Sequence, residues 1–117
     1  MKRTVFYNKR GMPTVYSEDG KHIYNYEGKP LCYIHQNSVF NFQGNHLGFF
    51  LKGWITDKKG KKIWFTENAE NKLPTKDIGR IPEPKQSLPN KKSRKSVSKT
   101  PQLKEEFSDL SIDEFLT

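Results

Sequence analysis

An all-β domain of four sequential β-hairpins is the fold this sequence predicts, on three observations. The first is a turn that occurs four times: Asn8-Lys9-Arg10-Gly11, Asn25-Tyr26-Glu27-Gly28, Asn41-Phe42-Gln43-Gly44 and Asp57-Lys58-Lys59-Gly60, with glycines 17, 16 and 16 residues apart. The second is what flanks it. Five residues before each glycine stand Phe6, Ile23, Val39 and Ile55; three after it stand Thr14, Leu31, Leu47 and Ile63; five after it stand Tyr16, Tyr33, Phe49 and Phe65. Period-two alternation around a polar turn is the pattern of paired strands, not of a helix. The third is uneven composition: 13 of the 15 aromatic residues fall at or before Phe65. A chain of 117 residues can bury one small core, and this one concentrates the material for it before residue 66.

The turn chemistry explains each element. Asn8, Asn25, Asn41 and Asp57 open a type I turn by accepting local backbone hydrogen bonds, and Gly11, Gly28, Gly44 and Gly60 take the positive φ that closes a three-residue hairpin loop with a bulge. The repeats then cover about residues 4–18, 21–35, 37–51 and 53–67. Counting outward from the loop predicts the cross-strand pairs Phe6–Thr14, Ile23–Leu31, Val39–Leu47 and Ile55–Ile63 on one face. The opposite face takes His22 with Cys32 and Trp54 with Trp64. A slip of one residue would exchange the faces. Uniform positions mark the shared core, and the varied face is where one repeat differs from another.

Isolated hairpins are marginal in water, so the four must pack together. Short connections at Glu18-Asp19-Gly20, Gln36-Asn37 and Lys52-Gly53 make an antiparallel meander. Hairpins around a pseudo-four-fold axis, an eight-stranded barrel and an open repeat sheet all satisfy these constraints.

The run Phe6-Tyr7-Asn8-Lys9, Gly11 and Pro13, then Ile23-Tyr24, Gly28-Lys29-Pro30 and Tyr33-Ile34, then Gly44, His46-Leu47-Gly48, Gly53-Trp54-Ile55, Asp57 and Phe65-Thr66-Glu67, resembles the four-fold beta flower proteins over about residues 4–70. The resemblance implies a small bacterial protein of unknown function with four hairpins arranged in pseudo-four-fold symmetry. It also implies a basic linker followed by an aromatic-Ser element and an aromatic pair, places held here by Phe107-Ser108 and Phe115-Leu116. Shorter likenesses to the YD repeats of secreted toxin shells and to MORN repeats rest on the same turn alone.

Charge divides the rest of the chain. Residues 1–82 carry 14 Lys/Arg against 7 Asp/Glu, residues 83–104 carry 7 against 1, and residues 105–117 carry 0 against 5, which sums to the net +8. The domain therefore spans residues 1–82. Residues 83–104, with Pro84, Pro89 and Pro101 among lysines and few apolar residues, read as a disordered basic linker. Residues 105–117 form an acidic-hydrophobic docking element, in which Phe107, Leu110, Ile112, Phe115 and Leu116 alternate with acids and Ser111 with Glu114 matches a capping box. So short a helix needs a surface, either its own domain or a partner.

For chemistry, Cys32 and His35 have a C-x-x-H spacing, and His22 and His46 are the other ligand types. Strand geometry points positions 32 and 35 to opposite faces, so no metal, cofactor or catalytic residue is expected. Neither paired carboxylates nor a group to orient a Cys–His pair can be read from the chain. Trp54 and Trp64 beside Lys58, Lys59, Lys61 and Lys62 are a candidate surface for stacking a base or holding a phosphate, with His22 and His46 as further binding candidates.

The expected function is a non-enzymatic binding or protein-interaction module. The partner is a protein engaged by the C-terminal element or, alternatively, nucleic acid or another polyanion on the fourth hairpin and linker. A single cysteine and the absence of an apolar leader fit a reducing cytoplasm. No apolar run approaches the roughly 20 residues of a membrane-spanning helix.

Overall fold

The computed structural model describes residues 3–76 and 78–117. Strands β1 (Thr4–Tyr7), β2 (Pro13–Ser17), β3 (His22–Asn25), β4 (Pro30–His35), β5 (Ser38–Phe40), β6 (His46–Leu51), β7 (Trp54–Asp57) and β8 (Lys62–Phe65) follow one another around a closed antiparallel barrel. A short helix α1 (Ile112–Leu116) ends the chain. Of the three arrangements open to the sequence, closure is the one adopted. It removes the free sheet edges that an open repeat would present.

All four turns form as their residues require. The Asn8 N–H donates to the Met12 carbonyl at 3.0 Å and the Gly11 N–H donates to the Asn8 carbonyl at 2.8 Å. Asn8 Oδ1 accepts from the N–H groups of Arg10 and Met12. Asn25, Asn41 and Asp57 repeat the same side-chain pair of bonds, and the four glycines have φ between 76° and 88°.

The register holds for one pair beyond the turn and then departs from expectation. Tyr7, Tyr24, Phe40 and Thr56 face Pro13, Pro30, His46 and Lys62. At the next step every hairpin inserts an extra residue, Thr14, Leu31, Leu47 or Ile63. Phe6, Ile23, Val39 and Ile55 consequently pair with Val15, Cys32, Gly48 and Trp64, not with the inserted residues as the turn alone predicts. A bulge bends its strand and increases local twist. One per hairpin supplies the curvature that closes eight short strands, a demand that turn chemistry does not express.

The slip redistributes the faces. Phe6, Val15, Ile23, Cys32, Val39, Ile55 and Trp64 now belong to a single buried cluster, the barrel core. The residues expected beside them at the fifth position after each glycine turn outward. There Tyr16 stacks on Tyr24 and meets Tyr26 at a tilt, Tyr33 stacks on Phe40 and meets Phe42 at a tilt, and Phe65 stacks on Tyr7 and meets Trp54 at a tilt.

These outer aromatic groups are covered by the segment after β8. Residues 83–104, whose composition reads as a disordered linker, are laid along the four turns in order as a strap, and the pattern starts before residue 83. The N–H groups of Lys76, Gln86, Lys95 and Lys104 donate to the carbonyls of Gly11, Gly28, Gly44 and Gly60 at 2.8 to 2.9 Å. Side chains add to the backbone bonds: Arg80 stands over the Tyr26 ring, Lys85 over Tyr24, Lys91 over Tyr33 and Arg94 over Phe40. A cation over a ring face is an attraction that hydropathy does not register, and main-chain bonds are indifferent to side-chain composition. Composition therefore conceals the order of this segment.

Candidate functional site

The varied positions fall at three places on the barrel. At the second hairpin, His22 pairs with Tyr33, not with Cys32. Its Nδ1 lies 2.6 Å from Asp19 Oδ2, and Asp19 Oδ1 accepts from the N–H groups of Lys21 and His22. Burial raises the Asp19 pKa, but the hydrogen bonds from the His22 ring and from these N–H groups outweigh it, holding the carboxyl well below its usual range. Among the described residues, neither His22 Nε2 nor Tyr33 Oη, both buried, has a hydrogen-bond partner. Cys32 is inside the core, and burial pushes its thiol up to about 12. A thiol so disfavoured as thiolate is a packing residue, not a nucleophile.

His46, in the third hairpin, is buried between Phe40 and Phe49. Burial lowers its pKa, opposed by a hydrogen bond with the Gly48 backbone and assisted by Lys58. It lines a cleft of ≈ 880 Å³ between the third and fourth turns, the strap and the C-terminal element. Lys58, Lys59, Lys61 and Lys95 bring four cations to this cleft. Sequence singled out the first three, while Lys95 arrives only because the strap crosses here.

At the fourth hairpin the expected exposed tryptophan pair does not exist. Trp54 and Trp64 are both fully buried, and the bulge places them on opposite faces, Trp54 opposite Phe65 and Trp64 opposite Ile55. Neither offers a ring to a base. Lys62 is also not a surface residue: it is 9% exposed, with its ammonium 4.2 Å from the centre of the Trp54 ring.

The docking element divides. Phe107 meets Trp54 edge to face at 5.7 Å, and its neighbours bond to β8 through Lys62 N–H to Glu106 carbonyl and Ser108 N–H to Lys62 carbonyl. Phe115 is 2% exposed within the barrel core, edge to face with Trp64 at 5.6 Å, and Leu116 packs partly beside it. The capping box of Ser111 and Glu114 is formed. Asn41 and Asn45 donate to the carbonyls of Leu116 and Thr117. Leu110 and Ile112, expected to dock with the others, remain 44% and 40% exposed.

Among the described residues, no group of three or more His, Cys, Asp or Glu side chains could hold a metal ion, and no helix is long and apolar enough to cross a membrane. Comparison with curated proteins and with solved structures found no match. The sequence profile described as 4-fold beta flower protein matches residues 4–116, which takes in the strap and the C-terminal element as well as the barrel. Four like hairpins closed on themselves and bound by their own tail are thus one family unit, and the chain belongs to the four-fold beta flower proteins.

Proposed function

We propose that this protein is a small, non-enzymatic protein-interaction module that presents its C-terminal element from the barrel wall. The observation that carries the reading is the split within residues 107–116. Phe107 and Phe115 are anchored on the barrel, while Leu110 and Ile112, between them, face outward. A loop pinned at both ends offers its apolar side chains with little ordering cost on binding, the advantage of a preorganised recognition surface. The buried Cys32 thiol gives nucleophilic catalysis no support. A bacterial origin and a cytoplasmic setting accompany this reading.

A pull-down from cell extract tests it, comparing the full-length protein with Leu110→Ser/Ile112→Ser and with Phe107→Ala/Phe115→Ala. The first pair leaves the anchors in place, so partners lost from both variants identify the presented face as the contact. Identical partner sets for all three proteins would sink the reading.

A second reading is favoured by the lysine cleft. Lys58, Lys59 and Lys95, beside Lys61 paired with Glu106 at 3.6 Å, bring positive charge for a polyanion such as single-stranded nucleic acid, held through phosphates without base stacking, to a cleft that Asp57, Asp109 and Glu114 also line. Binding of a labelled strand across a salt series checks it. Lys58→Gln/Lys59→Gln would lower the slope of log K against log salt by about 1.4, the single-strand value for two phosphate contacts, and no binding at low salt would remove this reading.

A further inference from the structure

Among the described residues, every large apolar side chain left exposed belongs to the segment after β8: Ile78, Ile81, Leu88, Val97, Leu110 and Ile112. Such residues scattered singly over a surface need no explanation, but three of them flank one feature. Val97 is 46% exposed, Leu110 44% and Ile112 40%. The cleft between the third and fourth turns separates the strap that carries the first from the C-terminal element that carries the other two. Ser96 and Ser98 line it on the strap side, Asp109 and Leu110 on the other.

The two banks of this cleft are opposite in charge. Residues 83–104 carry 7 Lys/Arg against 1 Asp/Glu, and residues 105–117 carry 0 against 5. Much of that charge is unspent within the chain. Among the described residues, Lys95, Lys99, Asp109 and Asp113 take part in no ion pair. Lys95 Nζ donates to the neutral Asn45 Oδ1 at 2.7 Å, a bond that leaves its charge uncompensated. A basic edge with one aliphatic residue therefore stands beside an acidic edge with two, so a single face carries both halves of a complementary pair. A half-turn about an axis through the cleft sets the basic edge of one copy on the acidic edge of another, and the reverse, which is the condition for a two-fold interface. A polyanion suits the face less well, because the acidic bank repels it.

We propose that this face binds a second copy of the chain: Leu110 and Ile112 of one protomer lie on the strap of the other at Val97, Asp109 and Asp113 meet its Lys95 and Lys99, and the reciprocal contact completes a dimer. The inference rests on the reading of the C-terminal element as a presented face, and it names the partner. Three aliphatic side chains from each copy make a modest apolar centre, and the charges fix its register, so the association belongs to the transient, concentration-dependent class.

The test is sedimentation of the full-length protein over a concentration series at constant moderate salt. The mass should rise from 13.7 kDa toward twice that value and no further. Lys95→Glu/Lys99→Glu makes both banks acidic and Asp109→Lys/Asp113→Lys makes both basic, so each variant alone should stay a monomer. Mixed in equal amounts, the two regain opposite charge at both junctions and should form the dimer. Leu110→Ser/Ile112→Ser should weaken self-association about tenfold or more, the worth of withdrawing partly buried Leu and Ile from the contact, and Leu88→Ser, at the second turn, should leave it unchanged. A monomer at every concentration, a mixture no heavier than its components, a mass beyond the dimer, or loss of association in Leu88→Ser would each overturn the proposal. A monomer that binds a labelled strand would give the cleft to a polyanion instead. A monomer whose partners in extract are still lost with Leu110→Ser/Ile112→Ser overturns only the second copy and leaves the presented face standing, whereas unchanged partners remove both. If a charge-reversed variant is unfolded by thermal melting, amide shifts of the unaltered protein with concentration decide: shifts at 95–99 and 109–113 uphold the proposal, and shifts elsewhere overturn it.

Discussion

Gly44 carries two constraints at one position. Its φ of +88° lies in the left-handed region, and a Cβ there would stand 2.1 Å from the Ser93 carbonyl oxygen of the strap. Gly20, in the β2–β3 connection, carries only the first, with a φ of +77° and open space around it. Gly20→Ala should therefore cost about 1 kcal/mol, the left-handed penalty of an L residue. Gly44→Ala should cost about 3 kcal/mol, because the strap must move and the Lys95–Gly44 bond is lost with it. Urea denaturation of the two variants measures the difference, and equal penalties would mean that the strap does not press on the turn. Asp19 gives a second test. Its pKa is lowered on folding, so its contribution is complete above the ordinary value of about 4 and is lost as pH falls toward the lower folded value. Asp19→Asn should thus be less stable than the unaltered protein at pH 7, with the gap narrowing at pH 3. A gap that is the same at both would disprove the role assigned to the His22 and backbone bonds.

The strap is a repeat with a period of its own. Its bonded N–H groups, at Lys76, Gln86, Lys95 and Lys104, are ten, nine and nine residues apart, against 17, 16 and 16 for the glycines they reach. The inner repeat forms a hairpin per unit, whereas the outer one only crosses from turn to turn, so fewer residues suffice. Each crossing is held by main-chain bonds, the first two also by cations on rings, and little apolar surface is buried. Segments of this kind open at lower free energy than the barrel strands do. Hydrogen exchange should accordingly show protection at those four amides above that of their strap neighbours, yet below that of β3 through β7. Uniformly fast exchange from 83 to 104 would restore the reading of this segment as disordered. At the end of the element order, α1 is one turn long and cannot persist by itself. Its capping box sets where it starts, and Phe115 in the core keeps it there.

At the scale of the molecule, closure leaves one seam. Strands β1 and β8 are joined through Tyr7 and Phe65, whose rings stack at 5.5 Å, while the Tyr7 hydroxyl donates to Glu67. The wrapped tail makes the particle compact: the Cα radius of gyration is 13.4 Å, equal to the roughly 13.4 Å that size scaling gives for a folded chain of this length. Small-angle scattering at moderate salt, extrapolated to zero protein concentration, should return a value close to this once hydration is allowed for. A radius above about 16 Å would indicate a tail trailing from the barrel in solution, since an unfolded segment adds extent far faster than a folded one. The same experiment with Arg80, Lys85, Lys91 and Arg94 changed to Gln would show how much of the wrapping the four ring-capping cations supply.

What the sequence determined by itself is whatever closes within a few residues. Asn or Asp with Gly three places on completes its hydrogen bonds inside the turn, so the four hairpins, their boundaries and the capping box at Ser111 were legible from residue types and spacing. The departures begin where a residue's partner is remote. The extra residue at Thr14, Leu31, Leu47 and Ile63 answers to barrel closure, and it alone moved Cys32 and Trp64 to the inside, parted Trp54 from Trp64 and gave His22 to Tyr33. The strap was invisible because its partners are carbonyls and ring faces on hairpins tens of residues away. The departure of Lys62 from the repeat could be read in the chain, but its meaning could not. Only the folded barrel places that ammonium over Trp54, because which ring a side chain meets is a property of a surrounding that local sequence does not contain.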